Sequence, residues 1–159
     1  MKFAVAPFDA VTAVLTAAFV VVVAAVVVGL SIAAPGTAVV VLICAGGGLA
    51  VLVAYGFSPA AYLLSPGRSL SVVRRLFGTR RFPITTAAPG RRRFGIGGMR
   101  LLASGGVFGW YGLFWRPNSG RYRAYVTNRQ RLIWCTGPQG PIVISPADPT
   151  AFLDAASQT

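Results

Sequence analysis

Residues 10–57 contain no Asp, Glu, Lys or Arg, and no other feature restricts so severely what this chain can fold into. The first part, Ala10–Ala34, reads AVTAVLTAAFVVVVAAVVVGLSIAA. At 1.5 Å per residue that is about 37 Å of helix, enough to cross a hydrocarbon core of about 30 Å with some tilt. Valine is a mediocre helix former in water. In lipid every backbone N–H has to bond internally, and a helix is the simplest way to do it. Pro35-Gly36 breaks the run, and Thr37–Phe57 then supplies a second apolar stretch of about 21 residues, again long enough to cross. The short uncharged connection predicts a tight transmembrane hairpin, with spans at about 10–34 and 37–57 within an N-terminal region of residues 1–57.

Two other readings of these runs are weaker. Ser31-Ile32-Ala33 resembles a signal-peptide cleavage site, but a signal core is usually about 7–15 residues, and only Lys2 precedes this one. Burial of both runs inside a soluble protein would need two consecutive spans of this length to be core helices without one charge. Ala25-x-x-x-Gly29 and Gly46-x-x-x-Ala50 have the spacing that lets membrane helices approach closely. Gly46-Gly47-Gly48 reads alternatively as a local kink.

The rest of the chain is cationic. All fourteen arginines lie from Arg68 onward, opposed only by Asp148 and Asp154; Lys2 and Asp9 cancel, and the net charge is +12. An uncharged half beside a cationic half points to a membrane first and nucleic acid second. Arg68, Arg74 and Arg75 fall within about 20 residues of the second span, the zone in which positive charge sets orientation. The expected location is therefore the cell (inner) membrane as a multi-pass protein. The C-terminal domain and the N-terminus are cytoplasmic, and Pro35-Gly36 faces out. Cys44 lies in an apolar run and Cys135 in a predicted strand, so two buried thiols fit better than a disulfide that would join membrane to domain.

Residues 58–159 are large enough to own a core. Ala60–Leu64, Leu70–Phe77 and Arg80–Ile84 read as strands, the last two joined at Gly78-Thr79. Arg121–Thr127 and Arg131–Thr136 read as a second hairpin around Asn128-Arg129-Gln130, and Ile142–Ile144 as one more strand. Leu101–Trp115, rich in glycine, is too short for a third span. It is read as strands with glycine bends, or as a loop dipping into headgroups, where Trp110, Tyr111 and Trp115 would suit the interface; ordinary core aromatics explain these three equally well. At the end, Ser145 or Asp148 can cap a helix with Phe152, Leu153 and Ala156 on one face.

Three segments carry a family resemblance: SPGRSLSVVRRLFGTRRFPI (Ser65–Ile84), GVFGWYGLFW (Gly106–Trp115) and, most distinctively, IVISPADPTAFLDA (Ile142–Ala155). Together they resemble the bacterial pleckstrin-homology-like (PH-like) domains attached to membrane helices, over roughly residues 58–157. The resemblance implies a mainly β fold: a bent sheet of about seven strands with a C-terminal helix. It does not imply phosphoinositide binding. The fold class expected is thus a membrane protein, a two-helix transmembrane hairpin followed by a PH-like domain.

Chemistry is thinly represented. The chain has no His, no Glu, one Lys and three Asp, whereas acid–base catalysis, metal ligation and the common nucleophile dyads draw on those types. Asp148 is explained by capping, and Cys135 has no His to activate it. Gly95-Ile96-Gly97-Gly98 lacks the lysine of a P-loop. No catalytic residue, metal ligand or cofactor is expected, and the protein is read as non-enzymatic. What remains is arginine: Arg74-Arg75 and Arg80-Arg81 flank one turn, and Arg91-Arg92-Arg93 form a third cluster. These seven are the candidate site for anionic lipid headgroups, at about 1 kcal/mol per basic side chain near the surface, or for a partner protein at the membrane. They serve equally as a solvated surface and topology signal. The alternative function is a small accessory subunit of a larger membrane complex, its basic domain mainly structural; nucleic-acid binding is a minor reading that membrane tethering disfavours.

Overall fold

The computed structural model describes residues 1–34, 37–90, 99–117 and 120–158. Two long helices come first, α1 (Ala10–Ala33) and α2 (Ala38–Phe57). Both are long and apolar enough to cross a membrane, with mean hydropathies of 2.9 and 2.5 and almost no residues buried within the protein. Asp9 caps α1, its carboxylate accepting from the Thr12 amide, and the Thr37 hydroxyl does the same for the Val40 amide in α2. Helix α2 runs unbroken through Gly46-Gly47-Gly48. The small-residue contact falls one position away from the expected one. A Cβ at Gly47 would stand 3.2 Å from Val23, while Gly29 and Gly46 face open space.

Ten strands are described where the resemblance implies about seven. Sheet one has the order β1-β2-β3-β4, from Lys2–Ala4, Pro59–Ser65, Ser69–Arg74 and Thr79–Pro83. Sheet two has the order β5-β9-β10-β8-β7-β6, from Thr86–Pro89, Ile133–Thr136, Ile142–Ile144, Gly120–Val126, Trp110–Arg116 and Met99–Gly105. Helix α3 (Pro149–Ser157) follows. The predicted 121–127/131–136 hairpin is corrected here. Strand β10 lies between β8 and β9, parallel to the first and antiparallel to the second. Its three residues are completely buried, and burial on both faces favours an apolar central strand over a polar-edged hairpin. The β3–β4 hairpin forms as expected, Val73 opposite Thr79, with Gly78 at φ +67°, a conformation that glycine adopts without strain. The 101–115 segment resolves into β6 and β7, and Trp110 and Tyr111 are core residues.

The main core lies where the sheets face each other. Tyr62, Leu70, Val72 and Phe82 meet Tyr125, Ile133, Ile142 and Ile144, and α3 adds Phe152 and Ala155. Asp148, rather than Ser145, caps α3, accepting from the Ala151 amide at 3.0 Å. Ser145 is instead wholly buried. Its hydroxyl accepts from the Thr127 amide at 2.8 Å, and its own amide donates to the Tyr62 hydroxyl at 3.3 Å. The chain ahead of α1 belongs to this assembly. Strand β1 pairs with β2, the Thr127 hydroxyl donates to the Ala6 carbonyl at 2.6 Å, and Asn128 donates to that of Pro7 at 3.0 Å. The N-terminus and the β domain therefore sit at the same end of the helix pair.

The residue after β9 comes very close to the end of β4. A Cβ at Gly137 would overlap the Pro83 carbonyl oxygen, a backbone atom that cannot rotate away. Gly137→Ala is expected to cost about 1–3 kcal/mol, as overpacking does. Guanidinium unfolding of the full-length chain in detergent checks it, and an unchanged midpoint would contradict the crowding.

Candidate functional site

The hairpin tip 75–78 and the last turn of α2 form one surface. The Leu76 amide donates to the Gly56 carbonyl and that of Arg75 to Ser58, each at 3.1 Å. This backbone docking places the first arginine pair beside the aromatic end of the helix. The Arg74 guanidinium lies over the Phe57 ring at 5.4 Å, and that of Arg75 over Tyr55 at 4.9 Å, distances at which a cation and a ring attract. Arg75 also donates to the Ser58 hydroxyl at 3.1 Å and to that of Tyr55 at 3.3 Å. Arg74 donates to the carbonyls of Phe77 and Gly78. The Phe57 and Phe77 rings pack at 4.3 Å with their planes tilted by 31°, and Leu76 and Phe77 remain exposed at the tip.

The second pair divides between the two faces of β4. Arg80 shares a side with buried Phe82, its guanidinium 6.0 Å from that ring; Arg81, its neighbour in an alternating strand, points the other way, and both arginines are exposed. The sequence clusters them, and the strand separates them. Arg91, Arg92 and Arg93 lie outside the described residues.

One arginine joins the site from a distance. Arg123 on β8 lies 5.8 Å from the same Phe82 ring and donates to the Gln139 carbonyl at 2.7 Å. Arg74, Arg80 and Arg123 line a cavity of about 520 Å³ between β3–β4 and β6–β8, with Phe57, Tyr111 and Tyr125. Among the described residues no carboxylate lines it. Sequence reasoning missed Arg123, although the alternation in RYRAYVT puts it on the face of Tyr125. The Tyr111 hydroxyl donates to the Ala54 carbonyl near the end of α2, so a cavity wall is also a contact with the helix pair. The β6–β7 turn makes further contacts there: the Phe108 amide donates to the Thr16 hydroxyl at 2.8 Å, and the Phe108 and Tyr55 rings pack edge to face at 5.4 Å.

The other ionisable groups have structural settings. Asp9 pairs with Arg129 at 2.8 Å. Cys44 and Cys135 are both free thiols; Cys44 is half-buried and Cys135 buried. Burial pushes the Cys135 thiol up to about 12, which leaves it a poor nucleophile. Burial likewise raises Tyr62 and Tyr111, against partial relief from their hydrogen bonds.

A family model described as a bacterial PH domain matches residues 62–159. Neither the curated proteins nor the solved structures compared with the chain give a match. The matched region takes in all of β3 to β10, most of β2 and the capped helix α3. With two facing sheets and a terminal helix docked on their core, the chain belongs to the bacterial PH domain family.

Proposed function

We propose that this protein is a non-enzymatic module anchored in the cell membrane by its α1–α2 hairpin, its PH domain held on the cytoplasmic face against anionic lipid headgroups. The observation that carries this reading is the junction at the end of α2. Arg74 and Arg75 lie over Phe57 and Tyr55, and Leu76 and Phe77 are exposed beside them. Cations, aromatic rings and exposed apolar side chains thus share the level at which an apolar helix ends. That combination suits the headgroup layer, where aromatic residues concentrate and basic side chains gain from anionic lipid. Arg81 projects charge from the neighbouring strand, and Arg91, Arg92 and Arg93 belong to the same candidate set. The positive-inside rule supports the orientation.

Two measurements test the reading on the full-length chain. In intact cells, an impermeant thiol reagent should label Gly36→Cys and spare Thr159→Cys; the reverse pattern sinks the topology. In vesicles, a fluorophore on Leu76→Cys should be quenched by headgroup-level quencher lipids more strongly when anionic lipid is present. The difference should shrink as salt shortens the Debye length from about 10 Å at 0.1 M, and also in Arg74→Gln/Arg75→Gln/Arg80→Gln/Arg81→Gln. Equal quenching in anionic and zwitterionic vesicles at low salt would end the lipid-docking reading and make the accessory-subunit role the leading one.

A further inference from the structure

The cavity between the sheets shares Phe57, Arg74 and Arg80 with the arginine-bearing site described above, and its chemistry is more selective. Three guanidinium groups, from Arg74, Arg80 and Arg123, line it, and no described residue adds a carboxylate to neutralise them. Each guanidinium has five N–H donors, and the protein uses few of these. Arg74 donates to two carbonyls of its own turn, Arg123 to Gln139, and Arg80 has no hydrogen-bond or ion-pair partner among the described residues. Both Arg80 and Arg123 lean on Phe82, which holds flexible side chains to one side of the strand pair. Uncompensated guanidinium groups in a concave, half-enclosed space call for an oxyanion, and phosphate fits their planar donor geometry best.

The remaining wall is apolar. Phe57, Tyr111, Leu113 and Tyr125 line the same space, and its volume falls in the range of small-molecule sites. A wholly polar phosphoester would leave that wall uncovered. A phosphate carrying glycerol and the first methylenes of acyl chains would satisfy both halves. Position favours the same occupant: Phe57 is the last residue of α2, and Tyr111 donates to the Ala54 carbonyl of that helix. The cavity thus borders the level where, on the reading proposed above, the helix leaves the hydrocarbon and lipid phosphates lie. We infer that this cavity binds one anionic phospholipid drawn from the adjacent leaflet, its phosphate held by Arg74, Arg80 and Arg123 and its glycerol backbone against Phe57, Tyr111 and Leu113. The inference rests on insertion of the helix pair, and it adds a stoichiometric site to what would otherwise be diffuse attraction.

The test uses the full-length chain in nanodiscs of phosphatidylcholine containing phosphatidylglycerol, followed by transfer to mild detergent and native mass spectrometry. One phosphatidylglycerol per chain is expected to survive transfer. Arg80→Gln/Arg123→Gln should lower that occupancy at least tenfold. Leu113→Trp, which fills the cavity and keeps every arginine, should do the same, with thermal melts showing that both variants remain folded. Arg121→Gln/Arg131→Gln, which removes as much charge outside the cavity, should stay within twofold of the parent. Equal losses from both arginine pairs would overturn the site in favour of a diffuse field. Displacement of the lipid by equimolar glycerol 3-phosphate would overturn the lipid assignment in favour of a soluble phosphoester. No retained lipid, with the Leu76 probe still responding to anionic vesicles, overturns the cavity and leaves surface docking standing; loss of both responses removes both.

Discussion

Phe152→Ala is expected to lower the unfolding free energy of the PH domain by about 3–5 kcal/mol, the range for truncating a fully buried phenylalanine. Phe152 is completely buried, and its ring packs edge to face on Phe3 at 5.0 Å. Helix α3 has nine residues, too few to be stable alone, since isolated helices shorter than about 12–15 residues are marginal in water. Its existence therefore depends on docking, and Phe152 is its largest buried side chain. The loss should spread to β1, because Phe3 comes from ahead of the transmembrane candidates and touches the same ring. Leu153→Ala, at a half-buried position, should cost less than half as much. Guanidinium unfolding of the full-length chain in detergent, followed by tryptophan fluorescence, measures both. A Phe152→Ala midpoint equal to the parent's would mean that the domain does not need the docked helix.

The helices were legible because their signal is local and strong: no charge between residues 10 and 57, and one Pro-Gly break. The β3–β4 hairpin and the α3 cap were legible for the same reason. Gly78 marks the turn, and Asp148 precedes a proline and an apolar face. Strand order was not. Ile142–Ile144 shows no alternation, being buried on both faces, and nothing local says that it inserts between Arg121–Thr127 and Arg131–Thr136 rather than beside them. Thr86–Pro89 has neither alternation nor branched bulk apart from its threonine, so β5 passed unnoticed. Lys2–Ala4 is three residues separated from its partner by both helices.

The site was half legible. Clustering in sequence singled out Arg74, Arg75, Arg80 and Arg81, but a strand sends adjacent residues to opposite faces, and Arg80 and Arg81 part accordingly. The cavity that holds Arg80 draws on residues from 57 to 125, a convergence produced by sheet packing. Arg123 could be assigned to a face by alternation, whereas its meeting with Arg74 and Arg80 required the fold.

In the sequence Asp9 simply cancels Lys2, and the structure gives it a larger part. Its position directly before an uncharged helical run was an N-cap signal, and the carboxylate does accept from the Thr12 amide at 2.7 Å. The other oxygen accepts from the Arg129 backbone at 3.0 Å and from its Nε at 2.8 Å. One buried side chain thus joins the first turn of α1 to the β8–β9 connection, where Arg129 also lies 5.7 Å from the Trp110 ring. Asp9→Ala should cost about 2.5–4 kcal/mol, combining about 1 for a lost cap with about 1.5–3 for hydrogen bonds to a charged group. The pH dependence gives a second readout. Burial opposes the charge on Asp9, but the hydrogen bonds from Arg129 and Thr12 outweigh it and hold the carboxyl at about 2, against an ordinary value of 3.8. A depressed folded value means that the contribution is fully present above the unfolded value and fades as pH falls from about 3.8 through about 2. The parent should therefore lose stability over that interval. Asp9→Asn should lose less, keeping the slope from Asp148, whose carboxyl the Ala151 amide and the Thr150 hydroxyl also hold below its usual range. A double-mutant cycle with Arg129→Ala isolates the pair. Independent single losses, or an Asp9→Asn acid profile identical to the parent's, would show that this carboxylate does not tie the helix pair to the domain.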